Sequence, residues 1–269
     1  MAPKWKEQMM KNQFNSMKTI VRPGRIGSAL AAFVLLAIGA SSVRGEVIPP
    51  SALPYGLSYQ EWSVKWWQWS LEQSTNHLEF VGEPAICSGP ASSVRFLAGV
   101  YIPGAGGKSV ETRSITVAPE TPLFFPILSI WTDNSACPSF TSFTADELVA
   151  QAAGEWSAVT VTTCTVDGVS VKDLSNPTNT PYLISSPAFS YTTAEKDNVL
   201  AGLYGEPCIP GGMTIYPAVA EGVYLMLSPL SPGKHTIHFV GVVGDPSNPF
   251  VKDDLTYDIT VSRDCDGRH

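Results

Sequence analysis

Four tryptophans fall within eight residues, at Trp62, Trp66, Trp67 and Trp69. An indole offers a broad apolar face and one polar N–H, which suits it to stack on sugar C–H surfaces or aromatic ligands. Trp62, Trp66 and Trp69 stand at i, i+4 and i+7, so on a helix they share one side. Burial against a sheet would produce the same spacing. Trp67 lies about 100° round the helix from Trp66, beside Ser63 and Ser70, and is the best placed of the four to meet a ligand. Its polar companions are Glu61, Lys65 and Gln68. The candidate ligand site is therefore Trp67, Glu61, Gln68, Trp62 and Trp66, with His77 from the following loop. The competing reading makes the tryptophans core and Glu61 a helix cap.

Other residue types that could do chemistry form weaker patterns. His235 and His238 are three apart, so on a strand they point to opposite faces and cannot share a metal without a bulge. No Cys/His cluster has zinc spacing, and no metal or cofactor is expected. Asp245, Asp253 and Asp254, with Asn248 between, are calcium-type oxygen donors, but their spacing fits no EF-hand loop; a solvated acidic loop accounts for them. PGAGGKS at 103–109 lacks phosphate-loop spacing and reads as a turn. There is no GxSxG nucleophile elbow. A glycosidase-type carboxylate pair has candidates in Glu61, Asp133, Glu155 and Glu221, none of which the sequence ranks. Catalytic residues are left unassigned.

Ser58 with Glu61 forms a capping box, and no Gly or Pro interrupts Tyr59 to Gln73, so a helix carries the tryptophans. Thr144 with Glu147 begins a second helix, ended at Gly154, and Thr192 with Glu195 suggests a third, short one. Strands are expected at Val94–Ile102, Thr112–Ala118 and Leu123–Leu128, where Pro126 implies an edge or a bulge. Ser157–Val166 and Val169–Val171 flank Asp167-Gly168, a strong hairpin signal. Further strands read at Tyr182–Tyr191, Gly222–Leu227, His235–Val240 and Leu255–Val261, with PLSPG at 229–233 as a tight turn. Residues 129–143 and 244–254 read as loops. Short strands separated by turns, with few helices, predict a mainly β fold: an antiparallel sandwich or jelly roll with one Trp-rich helix.

The chain begins with a basic stretch, Lys4 to Arg25, followed by the apolar run Ile26–Ala40. That run is shorter than the roughly 20 residues needed to span a bilayer. The pattern is that of a secretory signal peptide, residues 1–45, with Val43 and Gly45 preceding a cut before Glu46, or Ala40 and Ser42 preceding one before Val43; the alternative is a membrane anchor left uncut. Residues 46–262 then form a single domain and 263–269 a flexible tail, secreted or periplasmic, with no transmembrane span after signal cleavage. Seven of the 17 Lys+Arg and one of the 24 Asp+Glu lie in the leader, leaving 10 against 23, a net charge of −13. So acidic a surface repels phosphate backbones and excludes nucleic acid as a partner. Neutral and cationic ligands stay open. All five cysteines (Cys87, Cys137, Cys164, Cys208 and Cys265) lie in the exported part, where disulfides can form. At most two bridges fit, one thiol is left over, and the pairing is open.

YQEWSVKWWQW (59–69), VRFLAG (94–99), LFFPIL (123–128) and PLSPGKHTIHF (229–239) occur in this order, with a Val-Asp-Gly hairpin (166–168) and SPAFSY (186–191) between them. Together they resemble an uncharacterised family of secreted bacterial proteins without known activity. The resemblance covers most of the exported part. It implies a shared fold and export and nothing about chemistry. It also implies a Cys where this chain has Ser114, so Cys87, the partner of that missing Cys, is left free or bridged elsewhere.

These observations lead to an exported β-sandwich with a binding or interaction role, its ligand a neutral glycan or small amphipathic molecule near the Trp helix. The alternatives are a polysaccharide-active hydrolase or lyase using a carboxylate pair in the same cleft, and a structural envelope protein. The oligomeric state is not readable.

Overall fold

The computed structural model describes residues 45–74, 94–100, 107–135, 142–204 and 209–263, all within the unit Ser42–His269. The elements are β1 (Val47–Ile48), α1 (Tyr59–Leu71), β2 (Arg95–Phe96), β3 (Gly107–Val117), β4 (Leu123–Asp133), α2 (Ala145–Trp156), β5 (Val159–Val166), β6 (Val169–Ser170), β7 (Leu183–Ser185), β8 (Phe189–Thr192), α3 (Val199–Tyr204), β9 (Thr214–Leu227), β10 (Gly233–Asp245) and β11 (Asn248–Val261). Two short 3-10 turns, Pro50–Ala52 and Pro54–Gly56, precede α1. Among the described residues no helix is long and apolar enough to cross a membrane.

The fold is mainly β and sandwich-like. In one sheet β9 is the centre: β4 pairs along one edge, and β1, β7 and β8 pair along the other; β2 lies beyond β4. The second sheet runs β3-β11-β10-β5-β6. Both sheets are mixed rather than wholly antiparallel, because β2 runs parallel to β4 and β3 parallel to β11.

Alternation along β4 and β9 explains the layering. Leu123, Phe125 and Ile127 with Val223, Leu225 and Leu227 face the second sheet, meeting Ile237, Phe239, Leu255 and Tyr257. Phe125 stacks on Phe239 with ring centroids 5.2 Å apart. The intervening residues, Phe124, Ala218, Ala220, Tyr224 and Met226, face the other way and are covered by α1. Strands buried on both faces read as continuous apolar runs, which is why LFFPIL and GVYLML show no alternation. The layers are thus helix, sheet, sheet.

Two details fix how closely the sheets approach. β4 carries a register shift between Pro126 and Leu128, so Pro126 marks a bulge inside a central strand, not an edge. Opposite this bulge, Gly241 on β10 presents no side chain. A Cβ there would lie 2.7 Å from Leu128 Cβ and 3.2 Å from the Ile127 carbonyl.

Several boundaries differ from expectation. β4 continues through Trp131 to Asp133 where a loop was expected, because β9 is long enough to pair with it throughout. α2 passes Gly154 and ends after Trp156, whose indole is buried and donates to the Pro177 carbonyl over 3.1 Å. No helix starts at Thr192: Thr192 ends β8, and the short α3 begins at Val199. Residues 244–254 are not a loop, since β10 and β11 pair down to Asp245 and Asn248. Asp253 therefore faces inward and Asp254 outward, and the two cannot converge on one calcium ion. The Asp167-Gly168 hairpin forms with φ of 50° and 75°, both positive as a two-residue turn of this kind requires.

Candidate functional site

The Trp helix is positioned by its own sequence. Glu61 N–H donates to Ser58 Oγ over 3.2 Å, and the Glu61 carboxylate accepts from the Ser58 N–H at 2.8 Å. The backbone and hydroxyl of Ser58 hold the Glu61 carboxyl below the usual carboxylate range. Glu61 is thus a helix cap at an exposed N-terminus. Tyr59, the next residue, is buried and ties α1 to the sheet: its hydroxyl donates to the Ile48 carbonyl and accepts from the Met226 N–H.

The tryptophans point into three different parts of the interior. Trp62 donates to the Pro54 carbonyl, Trp66 to the Leu97 carbonyl, each over 2.9 Å, and Trp67 to the Tyr224 hydroxyl over 2.8 Å. Trp66 and Trp67 are each 3% exposed. The expectation that Trp67 faces solvent is therefore corrected. Ser63 and Ser70, which flank it on the helix, are also fully buried, so α1 buries two sides rather than one stripe. Gln68 is half-buried and donates its amide to the Ser190 carbonyl. His77 lies outside the described residues.

The aromatic nearest solvent on this side of Trp67 comes from the sheet. Trp131 of β4 is half-buried, and its ring lies 5.1 Å from that of Trp67 with an interplanar angle of 38°. Its N–H donates to Asp133 Oδ2 over 3.1 Å. The same carboxylate accepts from the Tyr191 hydroxyl, and its Oδ1 accepts from the Ser135 N–H at 2.9 Å. Tyr191 follows Ser190, the partner of Gln68. An indole, a carboxylate, a phenol and an amide are thereby gathered at one edge of the helix layer. A half-buried indole beside fixed acceptors is an arrangement that can take a sugar ring, by C–H stacking and by hydroxyl hydrogen bonds.

No family model matches this chain. No curated protein matches it either. Among solved structures it is similar to a cysteine protease inhibitor from Entamoeba histolytica, at 12% identity and a TM-score of 0.23, over 65% of this chain and 100% of that one. It is also similar to Amebosin, at 10% identity and a TM-score of 0.18, over 58% of this chain and 100% of that one. Likenesses this slight carry no argument about the site.

The remaining candidates lie apart. Glu221 is buried on the face of β9 turned away from α1 and accepts from Ser185 Oγ at 3.0 Å. Glu155 is exposed on α2 beside Gln151. His235 joins two turns: Nδ1 is 2.8 Å from Asp167 Oδ2, and Nε2 is 2.8 Å from the Ser231 carbonyl. Ser231 Oγ lies 3.3 Å from the same Nε2, but the closer carbonyl makes that nitrogen a donor, so it cannot act as base toward the hydroxyl. His238, on the outer face, pairs with Asp254 at 2.8 Å.

Reading the sequence missed Trp131 and Tyr191. Trp131 comes three residues after the apolar run, and SIWTD (129–133) continues a β pattern, which is the signal that could have found it.

Proposed function

We propose that this protein is an exported binding protein that takes a neutral, hydroxyl-rich ligand, a glycan, at the Trp131–Asp133 edge of the helix layer. The observation that carries the reading is the half-buried Trp131, seated on Trp67 and fixed in orientation by the Asp133 carboxylate. A ring held in one position loses little entropy when a sugar stacks on it. Gln68, half-buried, borders the same edge and supplies a further hydrogen-bonding group, while the buried Tyr191 hydroxyl holds the Asp133 carboxylate in place. The basic leader and short apolar run support export, as does the resemblance to the secreted bacterial family. The net charge of −13 after residue 45 favours a neutral sugar over an acidic one.

The test is a titration of the exported part with neutral cello-, chito-, xylo- and manno-oligosaccharides, read by tryptophan fluorescence and calorimetry. One series should bind, and Trp131→Ala should weaken it by more than about tenfold, as truncation of a central aromatic contact does. Asp133→Asn, which keeps the shape of the side chain, should weaken it as well. Binding that is identical in both variants, or absent with every sugar, would overturn the reading.

A further inference from the structure

At the open end of the second sheet, β3 and β11 bring four polar side chains onto the inner face. Ser109 stands opposite Asp253 in the register, Glu111 opposite Leu255, and Arg113 opposite Tyr257. Arg113 is buried, and all three of its side-chain nitrogens donate. It donates to Glu111 Oε2 through Nε and Nη2 at 3.2 and 2.7 Å, and to the Ala98 and Gly99 carbonyls and the Tyr257 hydroxyl, each at 3.1 Å. Its charged hydrogen-bond partner is Glu111, and it acts on Asp253 only through space. Asp253 is 7% exposed, and its Oδ1 has no hydrogen-bond partner among the described residues.

A buried carboxylate oxygen without a partner costs a protein stability unless something arrives to satisfy it. The groups facing it define what that can be. Glu111 is the neighbouring charge on β3; its Oε1 accepts from Ser109 Oγ at 3.1 Å. On β10 the residue opposite Asp253 is Gly241, which brings no charge. Glu111 is 37% exposed along its side chain, so the corner opens to solvent past Glu111. Counting Arg113 against Glu111, the corner carries one uncompensated negative charge when Asp253 is ionised. Its free acceptor capacity lies on Asp253, Glu111 and Ser109. A divalent ion would need six or more oxygens, more than these three side chains offer. A primary ammonium has three N–H donors and a single charge, matching three acceptors and one unpaired carboxylate.

We infer that Asp253, Glu111 and Ser109 form a binding site for the primary ammonium group of a small amine, separate from the Trp131 edge. The overall acidity of the chain raises the local concentration of such cations.

The test uses the exported part of the chain and n-butylammonium chloride at constant ionic strength and pH 8, followed by NMR of the Asp253 and Ser109 backbone amides. Saturable shifts at these amides are expected. Tetramethylammonium, with the same charge and no N–H donors, should leave them unmoved. Asp253→Asn, which keeps the shape and removes the charge, should weaken n-butylammonium binding by about tenfold or more, and Ser109→Ala should weaken it by less. Equal response to both cations, unchanged binding in Asp253→Asn, or no saturable shift would each overturn the inference.

Discussion

The Trp67 indole donates to the Tyr224 hydroxyl across 2.8 Å, joining α1 to the central strand β9 between residues 157 positions apart in the chain. Tyr224 is fully buried, and desolvation, the largest influence on it, pushes its hydroxyl well above the ordinary value. Phe124 stacks on its ring at 5.6 Å. Both residues are buried, and Ser129 is a second hydrogen-bond partner of the Tyr224 hydroxyl.

That bond sets the first prediction. Trp67→Phe should lower stability by about 2–4 kcal/mol, combining a cavity with the loss of a buried hydrogen bond. Tyr224→Phe removes only a hydroxyl and should cost about 1 kcal/mol. In a double-mutant cycle by urea denaturation the two should couple by about 1 kcal/mol. Strict additivity would mean that the hydrogen bond contributes nothing.

The second concerns Asp253. Burial first, and then the Glu111 charge, push its carboxyl up to about 7 from 3.8. The unfolded chain gives up this proton above 3.8, whereas the folded chain keeps it until about 7. The folded state therefore binds more protons between these values, and stability from this group falls as pH rises through the window, levelling off above it. At about 1.4 kcal/mol per unit the loss is about 4 kcal/mol. Asp253→Asn should abolish this slope and be more stable than the parent at pH 8, read from chemical denaturation at pH 4, 6 and 8. A parent chain with the same slope as the variant would refute it.

Much of the architecture was legible in the residues, and the illegible parts have physical causes. The Ser58–Glu61 box and the Trp spacing place α1, and the Asp167-Gly168 pair places a hairpin, because each is a local signal with a local cause. The side on which Trp67 lies was not readable. An amphipathic stripe assumes one buried side, whereas α1 rests between the sheet, the Pro50–Gly56 turns and β8, so its Ser-lined side is buried too. Trp131 was hidden because strand β4 outlasts its own apolar run and continues only because β9 is there to pair with it. Asp253 was hidden because Gly, Pro and Asp suggest a loop; only long-range pairing turns residues 248–254 into a strand and directs that one acid inward.

Gly241 offers a third prediction. An added methyl would meet Leu128 Cβ at 2.7 Å and the Ile127 carbonyl at 3.2 Å. Neither atom is the end of a flexible side chain, so the two sheets would have to separate locally. Gly241→Ala should therefore destabilise by about 1–3 kcal/mol, despite the better strand propensity of alanine. Leu128→Ala keeps the Cβ that the methyl would meet, so adding it should recover little of the loss relative to Leu128→Ala alone; a denaturation midpoint unchanged by Gly241→Ala would show that the sheets do not touch there.

The last prediction separates the cysteines. Cys164 is a free thiol at 2% exposure on the inner face of β5, beside Phe239 in the register. Desolvation pushes its pKa up to about 12. Only the thiolate is nucleophilic, and at pH 8 both its scarcity and its burial protect it. Iodoacetamide should leave Cys164 unmodified in the native chain and label it fully in urea, as read by peptide mass mapping under non-reducing conditions. Native labelling should then proceed only through global opening, so its rate should rise in Gly241→Ala by about tenfold for each 1.4 kcal/mol of lost stability. The odd thiol among five cysteines would be Cys164, leaving Cys87, Cys137, Cys208 and Cys265 as the only residues available for two bridges. Rapid native alkylation of Cys164, or its recovery in a disulfide-linked peptide, would overturn both the assignment and the closed packing of β5 against the core.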